Sequence, residues 1–150
     1  MKIILFEPQI PQNTGNIVRT CNVTNSGLVL VKPFGFNFSS RLLKRAGLDY
    51  WQDMQIEIIE DLYSYLKHCS KDFYFFSSKA PKIYTNVQYP EDTFLIFGSE
   101  TTGLPAIFWE TWPEKFLTVP MASQKRCLNL SNTVAIALYE GLRQQSFNFA

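Results

Sequence analysis

Five short, almost uninterrupted apolar runs set the limits on how this chain can fold: Ile3–Phe6, Leu28–Val31, Phe73–Phe76, Phe94–Phe97 and Phe116–Val119. A strand with one face in water alternates apolar and polar residues, whereas a continuous run fits a strand covered on both faces, as in a parallel sheet. Turn residues bound each run, and the stretches between them can be helical. Thr14 to Asn25 puts Ile17, Val18 and Cys21 on one face, Ser39 to Ala46 is short and basic, and Asp61 to Cys69 carries Leu62, Tyr65 and Leu66. From Ser131 to Gln145, Val134, Leu138 and Leu142 recur at i, i+4 and i+8, with Asn129, Ser131 or Asn132 placed to cap the N-terminus. Strands alternating with helices predict an α/β protein: a single domain over residues 1–150, built as an open, mostly parallel sheet flanked by helices.

The charge balance narrows the partners. With a formal net charge of +1, no global basic field advertises a nucleic acid, so an RNA would have to be held by local basic patches or by a groove shared between subunits. Three cysteines, Cys21, Cys69 and Cys127, cannot all pair and stand in no metal-ligand spacing, which suggests reduced thiols in a cytosolic setting. One histidine, His68, is too little for a histidine metal site or a Ser-His-Asp triad. No apolar run reaches the length of a signal-peptide core or a membrane span, so the expectation is a soluble, cytoplasmic protein.

The segments that follow the strands carry the chemistry. The first run leads into Glu7-Pro8-Gln9-Ile10-Pro11-Gln12-Asn13-Thr14-Gly15-Asn16, the fourth into Gly98-Ser99-Glu100-Thr101-Thr102-Gly103-Leu104-Pro105. The last leads into Pro120-Met121 and on to Lys125-Arg126-Cys127-Leu128-Asn129-Leu130-Ser131-Asn132. In open α/β sheets ligands bind beyond the carboxyl ends of the strands, and here those ends hold Pro, Gly, Asn and Ser, which shape loops and expose backbone donors and acceptors. Such loops suit an adenosine-like ligand. No GxGxxG and no GxxxxGK[ST] is present, so a Rossmann dinucleotide site and a phosphate loop are both unlooked-for. A flavodoxin-like small-molecule enzyme would want a phosphate-cradling loop after the first strand, where Pro8 and Pro11 instead remove donors.

Taken in order, these three segments resemble the motifs of the SPOUT superfamily of knotted RNA methyltransferases. The first corresponds to Pro11 through Thr20, the second to Phe97 through Glu100 with Gly103-Leu104-Pro105, the third to Val119-Pro120-Met121 with Leu128 through Asn132. Over its whole length the chain is similar to the stand-alone tRNA (cytidine/uridine-34-2′-O)-methyltransferases, with which it shares Arg45-Ala46-Gly47-Leu48-Asp49-Tyr50. The resemblance implies a SPOUT fold with a deep C-terminal trefoil knot, a homodimer, and S-adenosyl-L-methionine as cofactor, leaving S-adenosyl-L-homocysteine as product. It places cofactor contacts at Phe76, Gly98, Val119 and Cys127, with Met121 and Leu128 in the same loops. Relatives often carry Ser at the position of Cys127 and a basic residue at that of Thr102. Two other readings of the resemblance stay open, a methyltransferase acting on ribosomal RNA and a catalytically silent RNA-binding protein of the same fold. The motif residues standing in place weigh against the silent binder.

Methyl transfer to a ribose hydroxyl needs a sulfonium methyl, an oxygen aligned behind it and an outlet for a proton, and it needs no metal. By motif position the key residue is Arg19. A guanidinium stays protonated, so its expected role is to hold a phosphate bidentately and stabilise the developing alkoxide, while the proton leaves to water or a phosphate oxygen. Asn13 and Asn129 both donate and accept, which suits fixing a ribose or the cofactor; turn or cap chemistry is their other reading. Ser131 is as much a candidate cap as a site residue, and Glu100 is placed to orient Arg19 or a substrate hydroxyl. Arg41, Lys44 and Arg45 fall at i, i+3 and i+4, so a helix would present them together, and Lys125 with Arg126 lies in the third motif. Joined across a dimer, with Lys79 and Lys82 nearby, these would track tRNA phosphates, and Phe36, Tyr50 or Trp51 would stack a splayed base.

Overall fold

Seven strands form one sheet in the computed structural model, which describes residues 1–37, 41, 45, 51, 53–54, 56–123 and 126–149. They are β1 (Lys2–Phe6), β2 (Gly27–Val31), β3 (Ile56–Ile59), β4 (Phe73–Phe76), β5 (Lys82–Ile83), β6 (Phe94–Phe97) and β7 (Phe116–Thr118). Their order across the sheet is β3-β2-β1-β6-β4-β7-β5, and every pairing among the described residues is parallel. The helices are α1 (Pro11–Val23), α2 (Leu62–Lys67), α3 (Ala106–Thr111) and α4 (Leu130–Gln144).

The apolar runs are continuous because both faces of the sheet are covered. Ile3, Leu5, Leu28, Leu30, Leu95 and Phe97 point to a layer completed by Ile17, Val18 and Cys21 of α1 and by Val134, Ala137, Leu138 and Leu142 of α4. Their alternating neighbours Ile4, Val29, Val31, Phe94 and Ile96 point to the opposite layer, shared with Phe73, Phe75 and Phe116 and roofed by Leu62 and Leu66 of α2 and Phe108 of α3. Burial pushes the Cys21 thiol up to about 12, so it stays protonated as a small apolar core residue.

The long helices sit where expected, with shifted ends. α1 starts at Pro11 rather than Thr14 because proline suits the first helical position, where no N–H is needed. α4 is capped by Asn129, whose side chain accepts from the Ser131 amide. The strands β3 and β5 and the helix α3 come in addition to the expected elements. β3 is an edge strand reading Ile-Glu-Ile-Ile with half-exposed residues, and β5 is only two residues long. The predicted basic helix falls mostly outside the described residues; Arg41 and Arg45, which are described, are helical and exposed.

Strand order decides where a ligand can sit. From β1 the chain winds outward through β2 to β3, then crosses to β4 on the far side of β6. The carboxyl ends of β1, β6 and β4 therefore flank the point where the winding reverses, the preferred binding crevice of an open α/β sheet.

Candidate active site

A cavity of about 570 Å³ opens at that reversal, within the range of small-molecule and cofactor sites. Its apolar lining includes Phe76 and Phe97, whose rings stack at 4.8 Å between centroids at the ends of the paired strands β4 and β6. Phe76, Gly98, Val119, Met121, Cys127 and Leu128, the six residues named from sequence as cofactor contacts, all line it. They arrive from the end of β4 and from the loops after β6 and β7, which only the strand order makes neighbours.

Gly98 is required by close approach. A Cβ there would stand 2.5 Å from the Gly103 carbonyl carbon and 2.8 Å from the Leu104 nitrogen. The loop between folds back on itself, closed by Ser99 N donating to Gly103 O at 3.2 Å and Gly103 N donating to Ser99 O at 2.9 Å. Gly103 itself has φ +66°, a left-handed conformation that suits glycine. This closed loop projects Glu100 toward the first motif.

Four of the five residues proposed from sequence for catalysis form one hydrogen-bonded chain. The Glu100 carboxylate accepts from Gln9 N at 2.8 Å, Ile10 N at 3.1 Å and Asn13 Nδ2 at 3.3 Å. Asn13 Oδ1 accepts from Asn129 Nδ2 at 2.9 Å. Asn129 Oδ1 accepts from both the amide and the hydroxyl of Ser131, at 2.9 and 2.6 Å. Both ends of the chain dictate its polarity. A backbone N–H can only donate, so the Asn129 atom facing the Ser131 amide is oxygen and the one facing Asn13 is nitrogen. At the other end a carboxylate can only accept, so Asn13 turns its nitrogen to Glu100. The two requirements agree, and each amide keeps one N–H for something else.

Glu100 has a structural task as well. Helix α1 has no capping side chain of its own at Ile10, and its first turn carries no acid. Glu100 supplies both from another loop, taking orphan N–H groups beside the positive end of the helix. Asn13, Glu100 and Asn129 line the cavity, and Ser131 stands one hydrogen bond behind its wall.

Arg19 lies elsewhere. It sits on the outward stripe of α1 with Gln12, Asn16 and Val23, at i, i+4, i+7 and i+11, and does not line the cavity. Of the residues proposed to hold RNA, Arg41, Arg45 and Arg126 are exposed, while Lys44 and Lys125 are outside the described residues. The cavity also draws in residues that the motifs do not contain: Ser77, Ser78 and Lys79 after β4, and Trp109 of α3. The position of β4 between β6 and β7 puts them there, and local sequence carries no sign of that order.

Residues 1–139 match the SpoU rRNA Methylase family. A protein of Geobacillus stearothermophilus, assigned provisionally as a tRNA (cytidine(34)-2′-O)-methyltransferase, is 43% identical over 99% of this chain and 97% of its own. A structure solved for the 2-OH methylation of C/U34 on tRNA superimposes with a TM-score of 0.88 at 34% identity, covering 98% of this chain and 97% of the other. The SpoU methyltransferase AviRb from Streptomyces viridochromogenes, solved in complex with AdoMet, shares the fold at a TM-score of 0.84 and 19% identity, over 97% of this chain and 58% of its own. With the match running through all three loops that build the cavity, the chain belongs to the SpoU rRNA methylase family.

Proposed function

We propose that this protein transfers a methyl group from S-adenosyl-L-methionine to the ribose 2′-hydroxyl of nucleotide 34, C or U, in a tRNA anticodon loop. The observation that carries the reading is the convergence of three loops on one cavity, locked together by the chain from Glu100 through Asn13 and Asn129 to Ser131. Full-length similarity at 43% and 34% identity to proteins tied to position 34 of tRNA favours that substrate over ribosomal RNA.

The residues present suit the cofactor. Phe76, Val119, Met121 and Leu128 supply an apolar wall for an adenosine, and Gly98 keeps backbone close to the cavity. When bound, the cofactor supplies an electrophilic methyl on a sulfonium. Everything else falls to the chain. The remaining N–H groups of Asn13 and Asn129 donate to ribose or cofactor oxygens, and their direction is fixed before any ligand arrives. The Ser131 hydroxyl spends its proton on Asn129, so it meets a substrate hydroxyl only as an acceptor. Arg19, on the outer face of α1, holds a phosphate of the substrate and so positions the ribose for transfer.

The outer faces of α1 and α4 support a homodimer. The two helices pack side by side, and Val23, Ile136 and Tyr139 are exposed at 61, 37 and 44% on their outward stripes. A second copy seated there would cover these apolar groups and bring Arg41, Arg45 and Arg126 of two subunits toward one RNA groove. The segment after β7 runs from the β4–β5 side of the sheet back to α4 beside α1, contacting Ser78 through Cys127 on the way, a path in keeping with a trefoil knot. Among the described residues no helix is long and apolar enough to cross a membrane. We assign the reaction to the cytoplasm on the strength of its proposed tRNA substrate.

The test is methyl transfer from radiolabelled S-adenosylmethionine into total tRNA, wild type beside Arg19→Ala, with the modified nucleotide mapped. A 2′-O-methyl at nucleotide 34, lost in the variant, is the expected outcome. No incorporation into tRNA by a protein that still binds the cofactor would replace the substrate with another RNA, such as ribosomal RNA. Absence of any cofactor binding would leave a silent RNA binder.

A further inference from the structure

The cavity holds a positive charge that none of the three motifs contains. Lys79 lies three residues beyond the end of β4, in a turn defined by backbone: Ser77 N donates to Leu117 O at 2.9 Å, Lys79 N to Ser77 Oγ at 3.2 Å, and Ala80 N to Ser77 O at 3.2 Å. Ala80 is buried by this turn, and Lys79 is left exposed at the cavity mouth. Because β4 and β6 pair with Phe76 opposite Phe97, the loop after β4 runs beside the loop after β6. The rim there is polar, formed by Ser78, Lys79, Thr101 and Thr102.

The charges of the cavity do not cancel one another. Among the described residues, Lys79 and Glu100 are the ionisable side chains of the lining, apart from the Cys127 thiol. Glu100 is occupied by three N–H donors of the first motif. Lys79 makes no ion pair among the described residues, whereas Lys71 and Lys115 are each paired with an aspartate. An exposed ammonium on a rim that also carries the hydroxyls of Ser78, Thr101 and Thr102 suits an oxyanion.

We propose that Lys79 binds the carboxylate at the amino-acid end of S-adenosylmethionine, with Ser78 and Thr101 as hydroxyl partners. This rests on the cofactor reading given above. The carboxylate is the one anionic group of that molecule, and the apolar lining of Phe76, Val119, Met121 and Leu128 suits the adenosine, so the cofactor lies with its base in the cavity and its amino-acid end toward the rim. The contact anchors the end of the cofactor away from the base and leaves the sulfonium between them. Lys82 serves as an internal control: it lies in β5, outside the cavity lining.

The experiment pairs a truncated side chain with a truncated ligand. Calorimetric affinities of S-adenosylhomocysteine and of 5′-methylthioadenosine, which lacks the amino-acid end, are measured on wild type, Lys79→Met, Lys79→Arg and Lys82→Met. Lys79→Met is expected to weaken S-adenosylhomocysteine about fivefold to twentyfold, the range of a partly exposed charge-assisted contact, and to leave methylthioadenosine within about twofold. Lys79→Arg should recover most of the loss, and Lys82→Met should change neither ligand. Equal loss of both ligands, or of neither, overturns the assignment. Unchanged cofactor affinity with a raised KM for tRNA would overturn it too, by giving the ammonium to an RNA phosphate. If wild type binds neither ligand, the cofactor reading itself falls, and this assignment falls with it.

Discussion

The cavity and the outer face of α1 sit a few residues apart in sequence and are built on opposite terms. Asn13, one turn into the helix, is 4% exposed and held on both sides by hydrogen bonds from other loops. Arg19, less than two turns on, lies on an exposed stripe outside the cavity lining. Among the described residues the cavity is assembled within one chain, with its polar groups already oriented. The Arg19 face presents a long cation next to exposed Val23, on a surface that a second subunit would complete. The contrast separates two tasks that the first motif runs together: holding the cofactor is local to the cavity, and handling the RNA belongs to the surface.

The separation is most severely tested at Gly98. A methyl group there meets the Gly103 backbone at 2.5 Å and must open the loop that carries Glu100. Gly98→Ala is expected to weaken S-adenosylhomocysteine by at least about a hundredfold, to abolish transfer, and to lower the thermal midpoint by several degrees. Arg19→Ala should act on one side alone. Methyl transfer should fall by about 10²-fold, the cost of losing a contact that positions the substrate. Cofactor affinity, read by calorimetry, should stay within about twofold. A variant that loses both together would break the comparison, because Arg19 would then serve the cavity.

Between these extremes stands the amide pair. Asn129→Asp keeps the shape of the side chain and its acceptor for the Ser131 amide. It replaces the donor to Asn13 with an oxygen facing an oxygen. An unpaired or repelled buried acceptor costs about 1–3 kcal/mol, so transfer should drop roughly tenfold to a hundredfold. Asn129→Ala, which removes the repulsion, should fall less steeply than the aspartate if polarity is the point. The reverse ranking would reduce Asn129 to a helix cap.

How much of this was legible in the sequence follows the same division. The covered strands could be read from their unbroken apolar runs, and the two long helices from the spacing of Ile17, Val18 and Cys21 and of Val134, Leu138 and Leu142, because burial imposes those patterns locally. The cavity residues within the motifs could be named because loops after strands carry unusual turn chemistry. Strand order left no such mark: nothing near Ser77, Ser78 or Lys79 announces that β4 sits between β6 and β7. The helix α3 was hidden for a related reason. Its six residues, Ala-Ile-Phe-Trp-Glu-Thr, are too few for a helical period to emerge, and its aromatics serve a ring cluster in which Trp109 stacks on Phe116 at 3.5 Å. The cap that Glu100 provides for α1 was equally invisible, since the two lie some ninety residues apart in sequence.

The smallest effect belongs to Cys127, and it sharpens the account of what the cavity loops contribute. Its thiol is exposed and makes one long contact, Sγ donating to Ser78 Oγ at 3.4 Å. A thiol is a weak donor, and an exposed contact of this kind contributes little to holding two loops together. If the cavity uses this position through its backbone, a hydroxyl in place of the thiol changes only that contact. Cys127→Ser is then expected to shift S-adenosylhomocysteine affinity by less than about threefold and transfer by no more, within the range of a single exposed hydrogen bond. A gain of tenfold or greater would mean that a serine hydroxyl binds the cofactor directly and that this chain works with a weakened site. A tenfold loss would mean that the thiol fills space which the smaller hydroxyl leaves empty. Only near-neutrality agrees with a site whose specificity is carried by its fixed amides and by the close approach at Gly98.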